Sequence, residues 1–193
     1  MFAILQLSPV RRLPDGVIDC IQNHSGLTDF VWDPFNPNRL ACALENGFIK
    51  FWVIPDEPVK LVSLVPIKEM QASYEKIVAI KFHPFASDVI AVACIGGTIS
   101  IWDCLNTECR WKVLAHVGGI LSMAWCFDGT KIVSVGRDQS LKVWLPRERT
   151  DCVIEHPGII ESVRSARAIF VCNGKFIILV HFQNKFTIKT PTR

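Results

Sequence analysis

Apolar and polar residues alternate with a period of two within the segment Ala115–Trp144, and this alternation predicts β-strands. Strands are expected at Ile120–Trp125, Lys131–Val135 and Leu141–Trp144. Turn-forming residues separate them, with Asp128–Gly129 after the first strand and an Arg-Asp pair before the third. Short strands joined by tight turns form an antiparallel meander, so this segment predicts one small sheet.

The same pattern occurs twice upstream, where comparable apolar strands also end in tryptophan. The three closing residues are Trp52, Trp102 and Trp144, at intervals of 50 and 42 residues. An earlier strand of each unit aligns as well, at Thr28–Trp32, Val78–Phe82 and Leu121–Trp125. Repeats of about 40 to 50 residues with four strands each are typical of propeller blades, so the sequence predicts an all-β fold.

Four polar landmarks mark the third unit: His116, Ser134, Asp138 and Trp144. The Asp lies six residues before the Trp and the Ser ten residues before it. This spacing resembles a WD repeat, in which a loop His, a strand Ser or Thr, a turn Asp and a strand Trp hydrogen-bond through one blade. The resemblance implies a structural network here. The equivalent positions of the other two units carry Asn23, Cys42 and Asn46, and Ser73, Val92 and Gly96, so the full network is expected only in the third.

The expected fold is therefore a partial WD40-type β-propeller with about three complete blades plus flanking strands. We expect blades at residues 24–65, 73–112 and 113–154, with a loop around Pro66 lengthening the first repeat. Residues 1–23 would supply the outer strand of a preceding blade, at Phe2–Leu7, and a loop. Residues 155–193 would form an incomplete fourth blade, in which Phe176–Phe182 is apolar enough for burial on both faces.

A Ser, a His and an Asp also suggest a nucleophilic triad, which is the sharpest catalytic reading of this chain. A triad needs an exposed serine beside an oxyanion hole, whereas Ser134 lies in mid-strand between Val133 and Val135. We therefore expect no enzyme activity. No cofactor or metal is expected either, because the 5 histidines are isolated and the Gly-Gly pairs lack the context of a phosphate loop.

Composition and charge restrict the function further. The net charge is only +3 and the basic residues are scattered, so no nucleic-acid partner is expected. None of the 8 cysteines has the spacing of a zinc or redox motif, and we expect reduced core thiols, with Cys42, Cys94, Cys126 and Cys172 in apolar strands. The chain has neither a signal-peptide pattern nor an apolar run long enough for a transmembrane helix, so a cytoplasmic location is expected.

A longer stretch points to a particular family. Residues Trp32–Leu40 read Trp-Asp-Pro-Phe-Asn-Pro-Asn-Arg-Leu, which general WD repeats do not carry. Together with Glu75–Ala86, Leu121–Trp125 and Ala168–Gly174, this stretch resembles the coronin family, in particular the opening of the second propeller of tandem-propeller coronins. The resemblance extends over residues 2–180.

The resemblance implies a non-enzymatic protein of actin cytoskeleton organisation and Golgi-linked vesicle traffic. Its implied partners are filamentous actin and trafficking or scaffold proteins, and its implied location is cytoskeletal or Golgi-associated cytoplasm. No partner-binding residue is assigned. The alternative is a WD-repeat scaffold or substrate adaptor of another pathway, such as a ubiquitin ligase, although Trp102–Leu105 and Trp144–Arg147 each miss one residue of the Trp-Asp-x-Arg signature.

The chain lacks the first propeller, the later blades and the acidic tail of that family, so we expect a fragment, a splice form or a truncated gene model. Blade faces beside Phe2–Leu7 and Phe176–Phe182 would then be uncovered. Uncovered apolar faces and open strand edges favour self-association, which is a further expectation.

Overall fold

The computed structural model of the chain describes residues 25–54, 65–160 and 165–181, and the backbone of residues 185–189. Its described residues form strands joined by turns and loops, without a helix. The strands are β1 Leu27–Trp32, β2 Arg39–Leu44, β3 Phe48–Val53, β4 Lys68–Gln71, β5 Ile77–Phe82, β6 Val89–Cys94, β7 Thr98–Asp103, β8 Glu108–Leu114, β9 Ile120–Trp125, β10 Ile132–Gly136, β11 Leu141–Trp144, β12 Ile154–His156, β13 Ala166–Val171, β14 Phe176–His181 and β15 Lys185–Lys189.

These strands form four antiparallel sheets in chain order: β1–β4, β5–β8, β9–β12 and the three-stranded β13–β15. The first strands of successive sheets lie side by side, β1 beside β5, β5 beside β9 and β9 beside β13. Similar strand positions meet there, since the Ile80 amide donates to Asp29 and the Ala168 amide donates to Ser122. This arrangement is that of consecutive propeller blades, and the predicted all-β partial propeller is confirmed.

Because neighbouring strands run in opposite directions, successive turns of a sheet lie at opposite ends of it. We call the end with the turns between first and second strands the lower rim; these turns are residues 33–38, 83–88 and 126–131. The opposite end, the upper rim, holds the turns at residues 45–47, 95–97 and 137–140 and the connections between sheets at residues 72–76 and 115–119.

The sheets extend beyond the blade boundaries expected from the sequence. The first sheet was expected to end at residue 65, but Lys68–Gln71 pairs with β3 and forms its outer strand. Met70 pairs with Ile49 and is buried, so it belongs to the sheet. The loop predicted around Pro66 therefore comes before the outer strand of this sheet and not after it. The outer strands of the second and third sheets end at Leu114 and His156, each two residues past the expected boundary. The expected strand at Phe2–Leu7 lies outside the described residues.

Alternating residues of the middle strands serve two different cores. In β6, Ile90 and Val92 pack towards the first sheet, while Ala91 and Ala93 pack towards the third. The same division occurs in β10, where Ile132 joins the core shared with the second sheet and Val133 the core shared with the fourth. Each middle sheet is thus covered on both faces, which explains why its central strand is almost wholly apolar.

The fourth sheet is covered on one face only among the described residues. Ile177 and Leu179 of β14 are buried against the third sheet. Val180 on the opposite face is 38% exposed, and Ile169 of β13 is 51% exposed. The described part of β14 is therefore buried on one face only, which agrees with the expectation that a blade face beside Phe176–Phe182 is uncovered.

The cysteines divide between core and surface. Cys42, Cys94, Cys104 and Cys126 are buried, and burial raises the pKa of Cys42 and of Cys104 to about 12, which keeps these thiols protonated. Cys109 and Cys172 are exposed, so the prediction that all are core residues is wrong for them. Cys172 was expected in a strand, but β13 ends at Val171 and Cys172 lies in the following turn with a φ of 50°. Its side chain is exposed there. No disulfide joins the seven cysteines of the described part.

The described part of the chain contains no helix that could cross a membrane.

Gly97 provides a test of the blade architecture. It has a φ of +93°, and an added Cβ would overlap the carbonyl oxygen of His116 in the next sheet-to-sheet connection. Its own carbonyl accepts hydrogen bonds from the amides of Ala115 and His116, at 2.9 and 3.1 Å. Gly97→Ala should therefore lower the free energy of unfolding by roughly 3 kcal/mol or more, measured by urea unfolding.

Gly158→Ala is the matched control, because its φ is also positive, +64°, but nothing lies within 4 Å of the added Cβ. It should cost only the backbone strain, about 1 to 2 kcal/mol. Equal losses for the two variants would contradict the close approach of Gly97 to the neighbouring connection.

Candidate functional site

The four residues singled out in the sequence form one line of contacts that runs from the upper rim into the third sheet. His116 follows β8 in the connection to β9, and its side chain is buried. The ring lies against Gly136 at the end of β10, where a Cβ would overlap it. A glycine at this strand end therefore makes the space that the imidazole fills.

A relay of hydrogen bonds joins these side chains through the sheet. The indole Nε1 of Trp144 donates to Ser134 Oγ at 2.8 Å, and Ser134 Oγ lies 2.7 Å from His116 Nε2. His116 Nδ1 lies 3.0 Å from both carboxylate oxygens of Asp138. The carboxylate accepts only, so Nδ1 carries the proton and Nε2 accepts from the serine hydroxyl. Every member of the relay thus has a partner.

Ser140 belongs to the same network, although the sequence analysis did not include it. Its Oγ donates to Asp138 Oδ1 at 2.7 Å and lies 3.1 Å from His116 Nδ1. Its amide also donates to Asp138, at 3.0 Å, and the amide of Val117 adds a bond at 3.2 Å. A Ser two residues after a turn Asp is the local signal that identifies such a capping contact.

The electrostatics of the network favour a neutral imidazole. Burial lowers the pKa of His116 below its ordinary value, and the attraction of Asp138 offsets this only in part. Burial alone would raise the pKa of Asp138, but hydrogen bonds from Ser140 and His116 outweigh it and hold that pKa below its usual value. A neutral His116 and an ionised Asp138 are the states that the hydrogen bonds require.

The geometry does not fit a nucleophilic triad. Ser134 is 0% exposed, and its Oγ is engaged by both Trp144 and His116. A substrate carbonyl would have to reach the middle of the sheet to be attacked. The three residues therefore satisfy one another inside a blade.

The second sheet has a partial substitute for this network. Where the third sheet has Ser134, it has Val92, and the indole of Trp102 donates instead to Ser100 Oγ at 2.9 Å. The turn residue is Gly96, and its amide donates to Glu75 of the facing connection at 3.1 Å. In the third sheet the turn supplies the carboxylate, Asp138, and the connection supplies the amide, Val117. In the second sheet the turn supplies the amide, Gly96, and the connection supplies the carboxylate, Glu75. The sequence comparison did not reveal this exchange.

The first sheet leaves its tryptophan unsatisfied within the described part of the chain. Trp52 is buried, and its Nε1 has no hydrogen-bond partner there. Cys42 stands at the position of Ser134 and packs with Trp52 and Leu40 in a small apolar cluster. The position expected for the loop residue, Asn23, lies outside the described residues.

Arg39 joins the first and second sheets at the lower rim. Its Nε donates to Asp33 at 2.5 Å, and its guanidinium pairs with Asp88 of the next sheet at 2.6 Å. The guanidinium also lies 5.9 Å from the centre of the Phe51 ring and 5.8 Å from that of Phe82. Asp33 and Arg39 both belong to Trp32–Leu40, the stretch most specific to the family resemblance, so this stretch forms an inter-blade joint.

His83 occupies the place of Asp33 one sheet further. Its Nδ1 accepts from the amides of Phe85 and Ala86, and its Nε2 donates to the carbonyl of Gly129 in the third sheet at 3.0 Å. Burial lowers its pKa, although the bond to Gly129 opposes the shift. A proton on Nδ1 would break both amide contacts within the turn, whereas the Nε2 bond to Gly129 does not require a neutral ring.

The lower rim presents a row of exposed phenylalanines. Phe35, Phe85 and Phe127 lie in equivalent turns and are 48%, 61% and 68% exposed. The Phe85 and Phe127 rings meet edge to face, with their centres 5.6 Å apart. An exposed aromatic row on a rim is a surface suited to protein contact.

The paired tryptophans allow a direct test of the network. Trp144→Phe removes the donor to Ser134, whereas Trp52→Phe removes an indole N–H that has no partner in the described part of the chain. Both side chains are buried, so the packing losses are comparable. We expect Trp144→Phe to be the more destabilising by about 1 to 2 kcal/mol in chemical unfolding. A larger loss from Trp52→Phe would contradict a stabilising role of the relay.

Stability should fall in mild acid because His116 and His83 both have lowered pKa values in the native state. The unfolded chain takes up these protons near pH 6.5, while the native chain resists them. Their contribution is thus complete above pH 6.5 and is lost as the pH falls towards the native pKa values, by up to about 1.4 kcal/mol per pH unit for each histidine.

Thermal unfolding between pH 7.5 and pH 5 measures this effect, above the range in which carboxylates titrate. His116→Gln should reduce the pH dependence, because one of the two histidines is then absent. A melting temperature that stays constant or rises towards pH 5 would contradict the neutral states assigned to both rings.

Comparison with known proteins places these features in a family. Residues 107–144 match the family model described as WD domain, G-beta repeat. Over 183 residues the chain is 36% identical to Coronin-7 of Pongo abelii and 35% identical to Coronin-7 of Homo sapiens. Each alignment covers 95% of this chain and 20% of the relative, so the chain spans one-fifth of the length of these proteins.

More distant relatives agree. The chain is 31% identical to a coronin-like protein of Schizosaccharomyces pombe, over 75% of this chain and 24% of that protein. Its fold matches the crystal structure of the WD40 domain of Toxoplasma gondii coronin with a TM-score of 0.73 and 20% identity, over 80% of this chain and 40% of that one. The resemblance drawn from Trp32–Leu40 and the repeats is confirmed, and the chain belongs to the coronin family of WD-repeat proteins.

Proposed function

We propose that this chain is a protein-interaction module that acts in actin cytoskeleton organisation and Golgi-linked vesicle traffic. The similarity to Coronin-7 over 95% of the chain carries the proposal, together with the functions that the coronin resemblance implies. Filamentous actin is the first partner to test, and a cytoskeletal or Golgi-associated location in the cytoplasm follows from the same role.

The distribution of polar groups supports binding rather than catalysis. The His116, Ser134 and Asp138 side chains are engaged with one another inside the third sheet. Surface features are better suited to contact, since the lower rim carries an exposed aromatic row and arginines. Binding residues commonly lie on loops positioned by a scaffold, and the described rims consist of the turns and connections between the strands of the sheets.

The alternative role as a ubiquitin-ligase substrate adaptor gains no comparable support. Leu105 stands where the Trp-Asp-x-Arg signature has arginine. The Asp103 carboxylate is already bonded to Asn106 and to Arg110, at 2.8 and 3.1 Å. It caps its own turn and is not presented to a partner.

Co-sedimentation with filamentous actin tests the proposal. The purified 193-residue chain should pellet with filaments at low salt and at moderate salt, while a sample without actin stays in the supernatant. Gly97→Ala should lose pelleting in proportion to its loss of folded protein, and Gly158→Ala should retain it. A folded, soluble chain that stays in the supernatant with actin present would contradict direct filament binding.

A further inference from the structure

A cavity of about 290 Å³ lies on the lower rim between the second and third sheets. Its lining includes Val89 and Ile101 from the second sheet, the indoles of Trp111 and Trp125, and the side chains of Arg110 and Arg147. The walls therefore come from two blades, from the strands β6, β7, β8 and β9 and from adjoining turns. None of these residues takes part in the polar relay around His116.

The two indoles make rigid, apolar walls. Trp111 Nε1 donates to the carbonyl of Arg149 at 3.2 Å, and Trp125 Nε1 donates to the carbonyl of Lys81 at 3.2 Å. Trp111 also packs edge to face on Trp144, with ring centres 6.0 Å apart. Both N–H groups are satisfied by the protein itself, so the rings offer a ligand their hydrocarbon surfaces in a fixed position.

The charged side chains at this cavity differ in whether they have a partner of opposite charge or a hydrogen-bond partner. Arg110 pairs with Asp103 and Glu108, at 3.1 and 2.8 Å. The nearby Asp128 carboxylate is held by the amide and hydroxyl of Thr130. Arg147, by contrast, is exposed and has no hydrogen bond or ion pair with any described residue. A guanidinium without an anion thus stands beside an apolar cavity.

We propose that this cavity binds an acidic linear peptide segment of a partner protein. One apolar side chain of the peptide enters between Trp111 and Trp125, and a neighbouring carboxylate pairs with the Arg147 guanidinium. An arginine fork fits a carboxylate with two parallel hydrogen bonds, and an apolar anchor beside such a pair is the usual composition of a binding hot spot.

The size and setting of the cavity favour a peptide over a small anion. At about 290 Å³ it is at the lower limit for pockets that enclose a whole small molecule, but it accommodates a single large side chain. Further contact is available outside it, because Phe85 and Phe127 stand exposed next to the lining residues His83 and Gly129. An extended peptide can use that aromatic surface, whereas inorganic phosphate cannot.

Fluorescence anisotropy with the full chain tests this binding independently of actin. The probe is a short fluorescein-labelled peptide with one leucine flanked by glutamates. Two comparison peptides replace the leucine by glycine or the glutamates by lysines. The acidic leucine peptide should bind, and each replacement should weaken binding by about tenfold or more.

Variants of the chain locate the site. Arg147→Glu and the milder Arg147→Gln should weaken the acidic leucine peptide by about tenfold, because they remove the carboxylate partner. Arg149→Glu is the matched control: it makes the same charge change two residues away, at a side chain that does not line the cavity, and should have little effect. Ala86→Leu, which narrows the cavity, should weaken the leucine peptide but not the weak binding of the glycine peptide.

Three outcomes would overturn the proposal, once thermal unfolding shows that the variants are folded. The first is no binding of the acidic leucine peptide at all. The second is an equal loss from Arg147→Glu and Arg149→Glu, which indicates general attraction to a basic surface. The third is displacement of the peptide by inorganic phosphate at constant ionic strength, which indicates an anion site rather than a peptide site.

Discussion

Burial of one sheet face against the next is the interaction on which this structure depends. A four-stranded antiparallel sheet exposes two faces, and in the middle of this chain both faces are apolar. The sheets solve this by stacking, so that β6 sends Ile90 and Val92 to one neighbour and Ala91 and Ala93 to the other. Stability is thus shared between blades, and each blade contributes most when its neighbours are in place.

Stacking alone does not fix the angle between sheets, because apolar contact has little direction. Hydrogen bonds and ion pairs have direction, and they fix this angle at the first strands of the sheets and at the lower rim. Asp29 accepts from the Ile80 amide, Arg39 reaches Asp88, and His83 reaches the carbonyl of Gly129. Each bond crosses from one sheet to the next. The family-specific stretch Trp32–Leu40 contains one of these joints, which gives a physical reason for its composition.

The first three sheets each have a tryptophan on their third strand, and the indole N–H has different surroundings in each. In the third sheet a Ser, a His and an Asp complete a relay. In the second, Ser100 accepts from Trp102 on the same strand, and Glu75 replaces the turn carboxylate from the other side. In the first, the indole of Trp52 packs beside Cys42 without a described acceptor. At the position of Ser134 the first sheet thus has an apolar contact from Cys42 in place of a hydroxyl acceptor.

The sequence by itself determined the fold class, the repeat and the family, because period-two alternation and the spacing of Trp52, Trp102 and Trp144 are local properties of the chain. It also indicated His116, Ser134, Asp138 and Trp144, whose separation is fixed by the strands between them. Only the tertiary structure decided the partners that cross between distant segments: Glu75 with Gly96, Arg39 with Asp88, and the two indoles that meet at the lower-rim cavity. It also decided the exposure of Cys172. These depend on which surface each sheet presents to its neighbour, and a one-dimensional pattern does not record that.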